Sequence, residues 1–415
     1  MATAYDCPPS SSTQDVVWDG EVVSRGTPSG LLKLLLPPSS SAGSSSFAFT
    51  LLANLRTFMA PSEVLTQTMY SQNSTAANFC RENRAKMFSA IFTLCSVWVN
   101  DFPNDFVEAE MVARLRELLE LCVVEEGDAV KTALLLNALT QSLNRVARYE
   151  RALGSLVGRE EEVAPSDTLV GLFAISDNTA LIAQQLTHIE LERLSMVGLE
   201  DIVGTVAECG DLSQLGGPSS RPGVASAMAW FGRLSSLVAT EVVRHSRKRV
   251  RASVAESWVE VGAACFEGGN FNSTCAIVAG LAAASVSRLK RTWSRVDRAK
   301  LDILQHQLDP SGNFLSYRST MKAALWRAEG GSTDEEKIII PFFLLLLKDL
   351  FLMYHSAERE GPDGQVNFEP HILQYLLVGT ALDDQALMHR SFECEEAENG
   401  AERELYRKLK NKTSK

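Results

Sequence analysis

Arg288, Lys290 and Arg291 follow an uncharged run of small residues, Ala276–Ala284, and a second basic run lies ahead of them at Arg244, Arg247, Lys248, Arg249 and Arg251. Guanidinium and ammonium groups at this density attract phosphate, carboxylate or an anionic surface, but unaided they make and break no bond. The groups that would do covalent chemistry are not arranged for it. No GxxxxGK[ST] loop is present to cradle nucleotide phosphates, and neither HExxH nor GxSxG occurs. His188 has no second metal ligand near it and reads as a satisfied packing residue. The eight cysteines (7, 80, 95, 122, 209, 265, 275 and 394) form no CxxC pair and fall mostly in apolar helical patterns, as reduced core thiols of an intracellular protein do. No cofactor and no metal is expected. Cations without a catalytic constellation point to a protein that acts on another macromolecule.

Charge narrows the partner. A net charge of -11 argues against a general nucleic-acid binder, so no nucleic acid is expected. The run Arg244–Arg251 reads first as a solvated interhelical turn, then as a contact for anionic lipid or an acidic partner, and more weakly as a nuclear signal. The N-terminus lacks a charged segment followed by an apolar run, so no secretory signal is expected. Ile338–Tyr354 is apolar but interrupted by Lys348 and Asp349, too short and too charged in its middle to span a membrane. The protein is expected to be cytoplasmic, with recruitment to a membrane left open.

The elements that would position these groups are helical. Aromatics make up only 7% of the chain, and Ala- and Leu-rich stretches are many, which favours helices over a β-sandwich. Residues 1–14 are Ser-, Pro- and Thr-rich and read as a disordered tail. Phe47–Tyr70 reads as an apolar helix ending near Phe58 and a second beginning at Pro61. Helices follow over Lys86–Val99, Phe106–Cys122 and Thr132–Leu153. In the second of these, Met111, Leu115, Leu118, Leu119 and Cys122 share one face. Gly154, Gly158, Glu160–Glu162 and Pro165 mark residues 154–168 as a linker. Beyond it, Ala180–Leu194 carries Ile182, Leu186 and Ile189 on one face, helices are predicted over Ala225–Val243 and Asp297–Leu308, and Arg251–Phe266 leads into the small-residue run. The run Ala276–Ala284 suits a helix buried on every side. Lys348 and Asp349 lie in another such helix and must reach solvent or a partner.

The order of residues adds a family resemblance. Asn270-Phe271-Asn272-Ser273, then Ala276-Ile277-Val278-x-Gly280-Leu281, then Val286-Ser287-Arg288-Leu289-Lys290-x-Thr292-Trp293 resembles the signature of RasGEF (Cdc25 homology) catalytic domains. Four more stretches are similar to blocks of that family: Ala183–Leu194, Trp230–Glu241, Asp309–Arg318 and Asp334–Leu350. Val366-Asn367-Phe368-Glu369 looks like the return arm of the family's helical hairpin. Phe47–Tyr70 is a looser match to the exchanger-motif domain that precedes such catalytic domains. The first block and Ser391–Leu409 are most like the small RasGEF-domain family 1 proteins.

The resemblance implies an all-α protein. An N-terminal exchanger-motif domain (15–153) precedes a larger catalytic domain (169–410) with a protruding helical hairpin, and residues 411–415 form a basic tail. It implies a guanine nucleotide exchange factor, without covalent chemistry, for a Ras-superfamily GTPase of Rap or Ras type. Arg288, Asn313 and Tyr317 would face the GTPase switch region. Lys348, Asp349, Phe351, Leu352 and His355 would lie on the inserted helix. Phe271, Ile277 and Trp293 are expected to pack. The family usually ends that helix with Glu-Gly, and here His355-Ser356 stands in its place, with Glu358 three residues on. Reduced exchange or an altered GTPase choice would follow. An exchange-deficient scaffold of the same fold is therefore the second reading. A helical-repeat adaptor is a third, but no fixed-period repeat supports it.

Overall fold

The computed structural model describes residues 15–19, 22–35, 45–75, 81–126, 129–162, 171–217, 220–333, 336–356 and 365–367. These fall into two compact units, residues 32–356 and residues 15–31 with 365–367. The expected N-terminal tail, the Ser391–Leu409 stretch, the basic C-terminus and Glu358 lie outside the described residues. The chain is mostly helical, as expected.

The smaller unit holds the strands. β1 (Val16–Asp19) pairs antiparallel with β2 (Val22–Gly26) in the register Val16 to Gly26 and Asp19 to Val22, with a bulge between Val17 and Trp18. β3 (Val366–Asn367) pairs antiparallel with the end of β2. Val366 and Asn367, which are expected in the return arm of the helical hairpin, form this short strand. The rest of that arm is outside the described residues. α1 (Pro28–Leu34) begins on a proline, which suits the first helical position, and Thr27 Oγ1 accepts from the Gly30 N–H at 3.1 Å.

The larger unit begins with five helices, α2 (Ser45–Asn54), α3 (Pro61–Thr75), α4 (Arg81–Asp101), α5 (Ala109–Glu126) and α6 (Ala129–Glu162). The five apolar residues foreseen on one face of α5 are all buried, against a core that includes Leu51, Ile91, Trp98 and Phe102. α6 runs nine residues beyond its predicted end at Leu153, into the stretch expected as linker. Gly154 and Gly158 each weaken a helix by only about 1 kcal/mol, and the Glu160–Glu162 run is made of good helix formers.

The remaining helices build the second part of this unit: α7 (Leu172–Ile175), α8 (Thr179–Leu194), α9 (Leu199–Glu208), α10 (Pro222–Val243), α11 (Lys248–Glu267), α12 (Phe271–Ala282), α13 (Ala284–Ser287), α14 (Lys290–Trp293), α15 (Ala299–Gln307), α16 (Ser311–Glu329) and α17 (Phe343–Ser356). Asn178 and Asn270 cap α8 and α12, each side-chain oxygen accepting a backbone N–H three residues on at 3.0 Å. Trp258, Ile277, Leu234, Val238 and Leu186 form the core between α8, α10, α11 and α12. α10 and α12 approach closely at Gly280, where a Cβ would stand 2.8 Å from Val238 Cβ and would also collide with the Ser235 carbonyl oxygen. The predicted small-residue helix buries Ala276, Ile277, Gly280 and Leu281 but leaves Val278 half-buried and Ala279 exposed, so it is not buried on every side, and it breaks at Ala283, which is extended (ψ 142°). Among the described residues no helix is long and apolar enough to cross a membrane.

Candidate functional site

The signature Asn270–Thr274 is a polar lock inside the core. Asn270, Asn272, Ser273 and Thr274 are all buried, and each side chain is satisfied. Glu190 of α8 is buried too, accepting from Asn272 Nδ2 (3.1 Å to each carboxylate oxygen) and from Ser273 Oγ (3.0 Å). Burial raises the Glu190 pKa above the usual carboxylate value, and the bonds from Asn272 and Ser273 offset part of that rise. Asn270 Nδ2 reaches Thr187 Oγ1 at 3.1 Å, and Thr274 Oγ1 donates to the Asn270 carbonyl at 2.9 Å.

This lock also places the approach to α17. The apolar run Ile338–Tyr354 does not form one helix. Ile340 makes a parallel bridge with Asn270, through Phe271 N–H to Ile340 O and Ile340 N–H to Gly269 O, both 2.9 Å. Gly269 has φ +79°, and a Cβ there would lie 2.5 Å from the Ile338 carbonyl oxygen, so glycine is required twice over. Asn272 Oδ1 then accepts from the Phe343 N–H at 3.2 Å, where α17 begins. The signature residues thus set the direction of the helix that carries five of the predicted site residues.

α16 and α17 meet in a second network. Gly312, Asn313 and Phe314 are three consecutive left-handed residues, and the regular helix continues only after them. For Asn313 and Phe314 that conformation is strained and needs outside support. Lys348 Nζ donates to Asn313 Oδ1 at 2.7 Å and sits over the Phe314 ring. Arg318 Nε donates to the Asn313 carbonyl at 2.7 Å, and its two terminal nitrogens reach both oxygens of Asp349 at 2.9 and 2.7 Å. A planar guanidinium is suited to this bidentate geometry and an ammonium is not. Lys348 and Asp349, which had to reach solvent or a partner, find their partners within the chain.

The structure therefore brings Asn313, Lys348 and Asp349 together. Leu352 is beside them on α17 and half exposed, at 50%. Tyr317 and Phe351 are placed in the interior. The Tyr317 ring packs against Phe271, its hydroxyl accepts from the Phe342 N–H at 2.8 Å, and burial pushes its pKa up to about 12. Phe351 packs against the His355 ring, with centroids 4.1 Å apart and the planes tilted by 39°. His355 Nε2 lies 3.1 Å from the Cys209 carbonyl oxygen, which can only accept, so this nitrogen carries a proton. Arg288 is exposed and stands outside the network. Phe271 and Ile277 are buried and Trp293 is half-buried, all three packing as expected.

Sequence reasoning missed Arg318, Glu190 and Glu200 as organising residues. Arg318 closes the Asp309–Arg318 block, and nothing in its local spacing pairs it with Asp349, 31 residues on. His188 is exposed and 3.6 Å from Glu192, so it is a surface side chain and not the packing residue expected. Cys95, Cys122, Cys209, Cys265 and Cys275 are buried free thiols, and burial pushes Cys265 up to about 12, which leaves it unreactive.

A polar seam joins the first five helices to α9. Asp105 accepts from Arg56 Nε at 3.0 Å and from Trp98 Nε1 at 2.7 Å. Its neighbour Asn104 donates through its backbone N–H to Glu200 Oε1 (3.0 Å) and through Nδ2 to Asp201 Oδ2 (3.2 Å). A cavity of about 600 Å³ beside this seam is lined by Arg56, Asn104, Asp105, Tyr149, Asp201 and Arg221, among others.

Comparison with known proteins agrees with this architecture. Residues 181–371 match the family model of the RasGEF domain. The chain is 31% identical to Ras-GEF domain-containing family member 1B-A of Danio rerio, over 94% of this chain and 84% of the relative. It is 30% identical to family member 1B of Homo sapiens, over 93% and 90%, and 31% identical to family member 1C of Mus musculus, over 97% and 95%. With a match of this extent spanning nearly the whole of each partner, the chain belongs to the Ras-GEF domain-containing family.

Proposed function

We propose that this protein stimulates GDP release and GTP loading on a Ras-superfamily small GTPase of Rap or Ras type, with α17 as the element that enters the nucleotide pocket. The observation that carries this reading is Leu352, a large apolar side chain exposed on α17, flanked by Lys348 and Asp349 that are braced against α16. An apolar side chain held on a rigid helix can displace a bound cation and its water without being displaced itself. No covalent bond changes. The protein must bind nucleotide-free GTPase more tightly than the loaded form, and linkage then requires that it weakens nucleotide binding by the same factor. Each tenfold of that coupling is about 1.4 kcal/mol, so large accelerations need an extended interface. Arg288, Asn313, Lys348, Asp349, Leu352 and His355 are assigned to that interface, with Tyr317 and Phe351 shaping it from beneath. Residues 15–153 are assigned as the exchanger-motif domain that buttresses the catalytic helices through the Asn104–Glu200 seam. A cytoplasmic location goes with this reading.

Release of a fluorescent GDP analogue from a panel of Ras and Rap proteins tests it. Acceleration on one subgroup is expected. Binding without acceleration anywhere would favour the second reading, an exchange-deficient scaffold. His355 is the observation behind that alternative. It replaces the family's carboxylate, and its ring is held by the Cys209 carbonyl and by Phe351. If a His355→Glu variant exchanged no faster than the wild type on any GTPase of the panel, the substitution would not explain a lack of exchange.

A further inference from the structure

In a chain of net charge -11, neither residues 244–255 nor residues 271–296 contain a single acidic side chain. The fold joins these two stretches. Arg251, in the first turn of α11, donates through Nε to Thr292 Oγ1 of α14 at 3.0 Å, while its Nη1 caps the carbonyls of His245 and Ser246 at 2.8 Å. Arg251 is thus a structural residue, and it fixes the start of α11 against α14. Arg247, Lys248 and Arg249 lie two to four residues ahead of it, about 3–6 Å along the axis. Lys290 and Arg291 immediately precede Thr292, and Arg295 follows within one turn.

All six of these cations are exposed, and among the described residues none makes an ion pair. Arg244, by contrast, pairs with Glu241 at 2.8 Å. The placement of Arg247, Lys248 and Arg249 is also electrostatically wrong for the helix. They occupy the cap and first turn of α11, the positive end of its dipole, with no acid in that turn and no capping bond from the Arg247 side chain. Charges of this sign are unfavourable there. A surface that concentrates cations against its own helix dipole, in an acidic protein, is arranged for an external anion.

The chemistry of the surroundings selects the kind of anion. Val243 and Val250 are exposed among the cations, at 43% and 38%, and Leu237 is exposed on the same helix as Val243. Branched apolar side chains interleaved with Lys and Arg match the boundary between lipid headgroups and acyl chains, whereas Trp293 of α14 is half-buried beneath Arg298 and not exposed to stack on a nucleic-acid base. A pocket of about 450 Å³ continues the surface between α12, α14 and α15, with Lys290, Arg298 and Ser294 over a floor of Leu281 and Trp293.

We propose that the surface formed by the N-terminus of α11 together with α14 docks on an anionic phospholipid bilayer. The test needs no GTPase, so its outcome is independent of the exchange reading. The full chain is sedimented with vesicles of phosphatidylcholine alone, or of phosphatidylcholine with phosphatidylserine, at low and high salt. Binding to the anionic vesicles only, weakened by salt, is expected. Near such a surface each Lys or Arg contributes about fivefold, so an Arg247→Gln, Lys248→Gln, Arg249→Gln variant should bind roughly a hundredfold more weakly. Because the variant relieves the dipole conflict, its thermal midpoint should stay or rise, which separates lost docking from lost folding. Equal binding to both vesicle types, no binding to either, or unchanged binding by the variant would overturn the proposal. Concentration-dependent self-association that the variant abolishes, without vesicle binding, would overturn it and instead make a second copy of this acidic chain the occupant.

Discussion

The backbone N–H of Asn104 donates to Glu200 Oε1 at 3.0 Å, joining a 3-10 turn at Pro103–Phe106 to the first turn of α9 across 96 residues of sequence. Glu200 is 3% exposed, and neither its second carboxylate oxygen nor Asn104 Oδ1 has a hydrogen-bond partner among the described residues. Burial raises the Glu200 pKa to about 7, with Asp105 and Asp201 adding to the rise and Arg56 opposing it. The proton therefore binds the folded state more tightly than the unfolded one. Its stabilising contribution is complete below the ordinary carboxylate pKa of 4.5 and is lost as pH rises through 7. The span corresponds to about 3 kcal/mol as an upper figure. Urea unfolding followed from pH 5 to pH 8 should show this loss in the wild type, and a Glu200→Gln variant should flatten it. A pH-independent wild type would show that Glu200 does not titrate in this window.

Arg318 braces the left-handed turn at Asn313 and the α17 carboxylate of Asp349 at once. Arg318→Lys keeps the charge and loses the fork. Exchange should fall about tenfold or more, because a small displacement of a positioned group is costly, while the thermal midpoint changes little. An unchanged rate at unchanged stability would remove Arg318 from the machinery.

Glu190 is the shared acceptor of Asn272 and Ser273. Glu190→Ala leaves both donors buried without a partner, and a loss of about 2–4 kcal/mol in unfolding free energy is expected from the unmet bonds and the void. Since Asn272 also receives the N–H that starts α17, exchange activity should fall alongside. Chemical denaturation and a nucleotide-release assay on the same preparation check both.

Gly280 is where α10 and α12 touch. A Gly280→Ala substitution would drive its new methyl into the Ser235 carbonyl and Val238, and overpacking of this kind costs about 1–3 kcal/mol. A lowered midpoint in thermal unfolding is expected despite alanine's better helix propensity. A midpoint equal to wild type would mean that the two helices can separate cheaply.

The sequence by itself determined the helical class, most helix positions and the buried face of α5, because a 3.6-residue apolar period is a local property that packing had only to accept. It also located the α16 and α17 blocks, and it identified Lys348–Asp349 as a pair in need of partners. It carried a signal for the small sheet as well, Val16-Val17 and Val22-Val23 on either side of Asp19-Gly20, which helical reasoning passed over. The tertiary structure alone decided which groups meet. Asn313 and Lys348 are 35 residues apart, Glu190 and Asn272 are 82 apart, and nothing in local spacing pairs them. Burial was decided there too. Tyr317 and Phe351 look in sequence like surface candidates as good as Leu352, yet of the three only Leu352 faces out: Tyr317 of α16 is held against Phe271 and the Phe342 N–H, and the α17 register, set by the Asn272–Phe343 bond and the Asn270–Ile340 bridge, turns Phe351 inward. A hydrogen bond between distant segments turns the helix, and the turn selects which side chain a partner can reach.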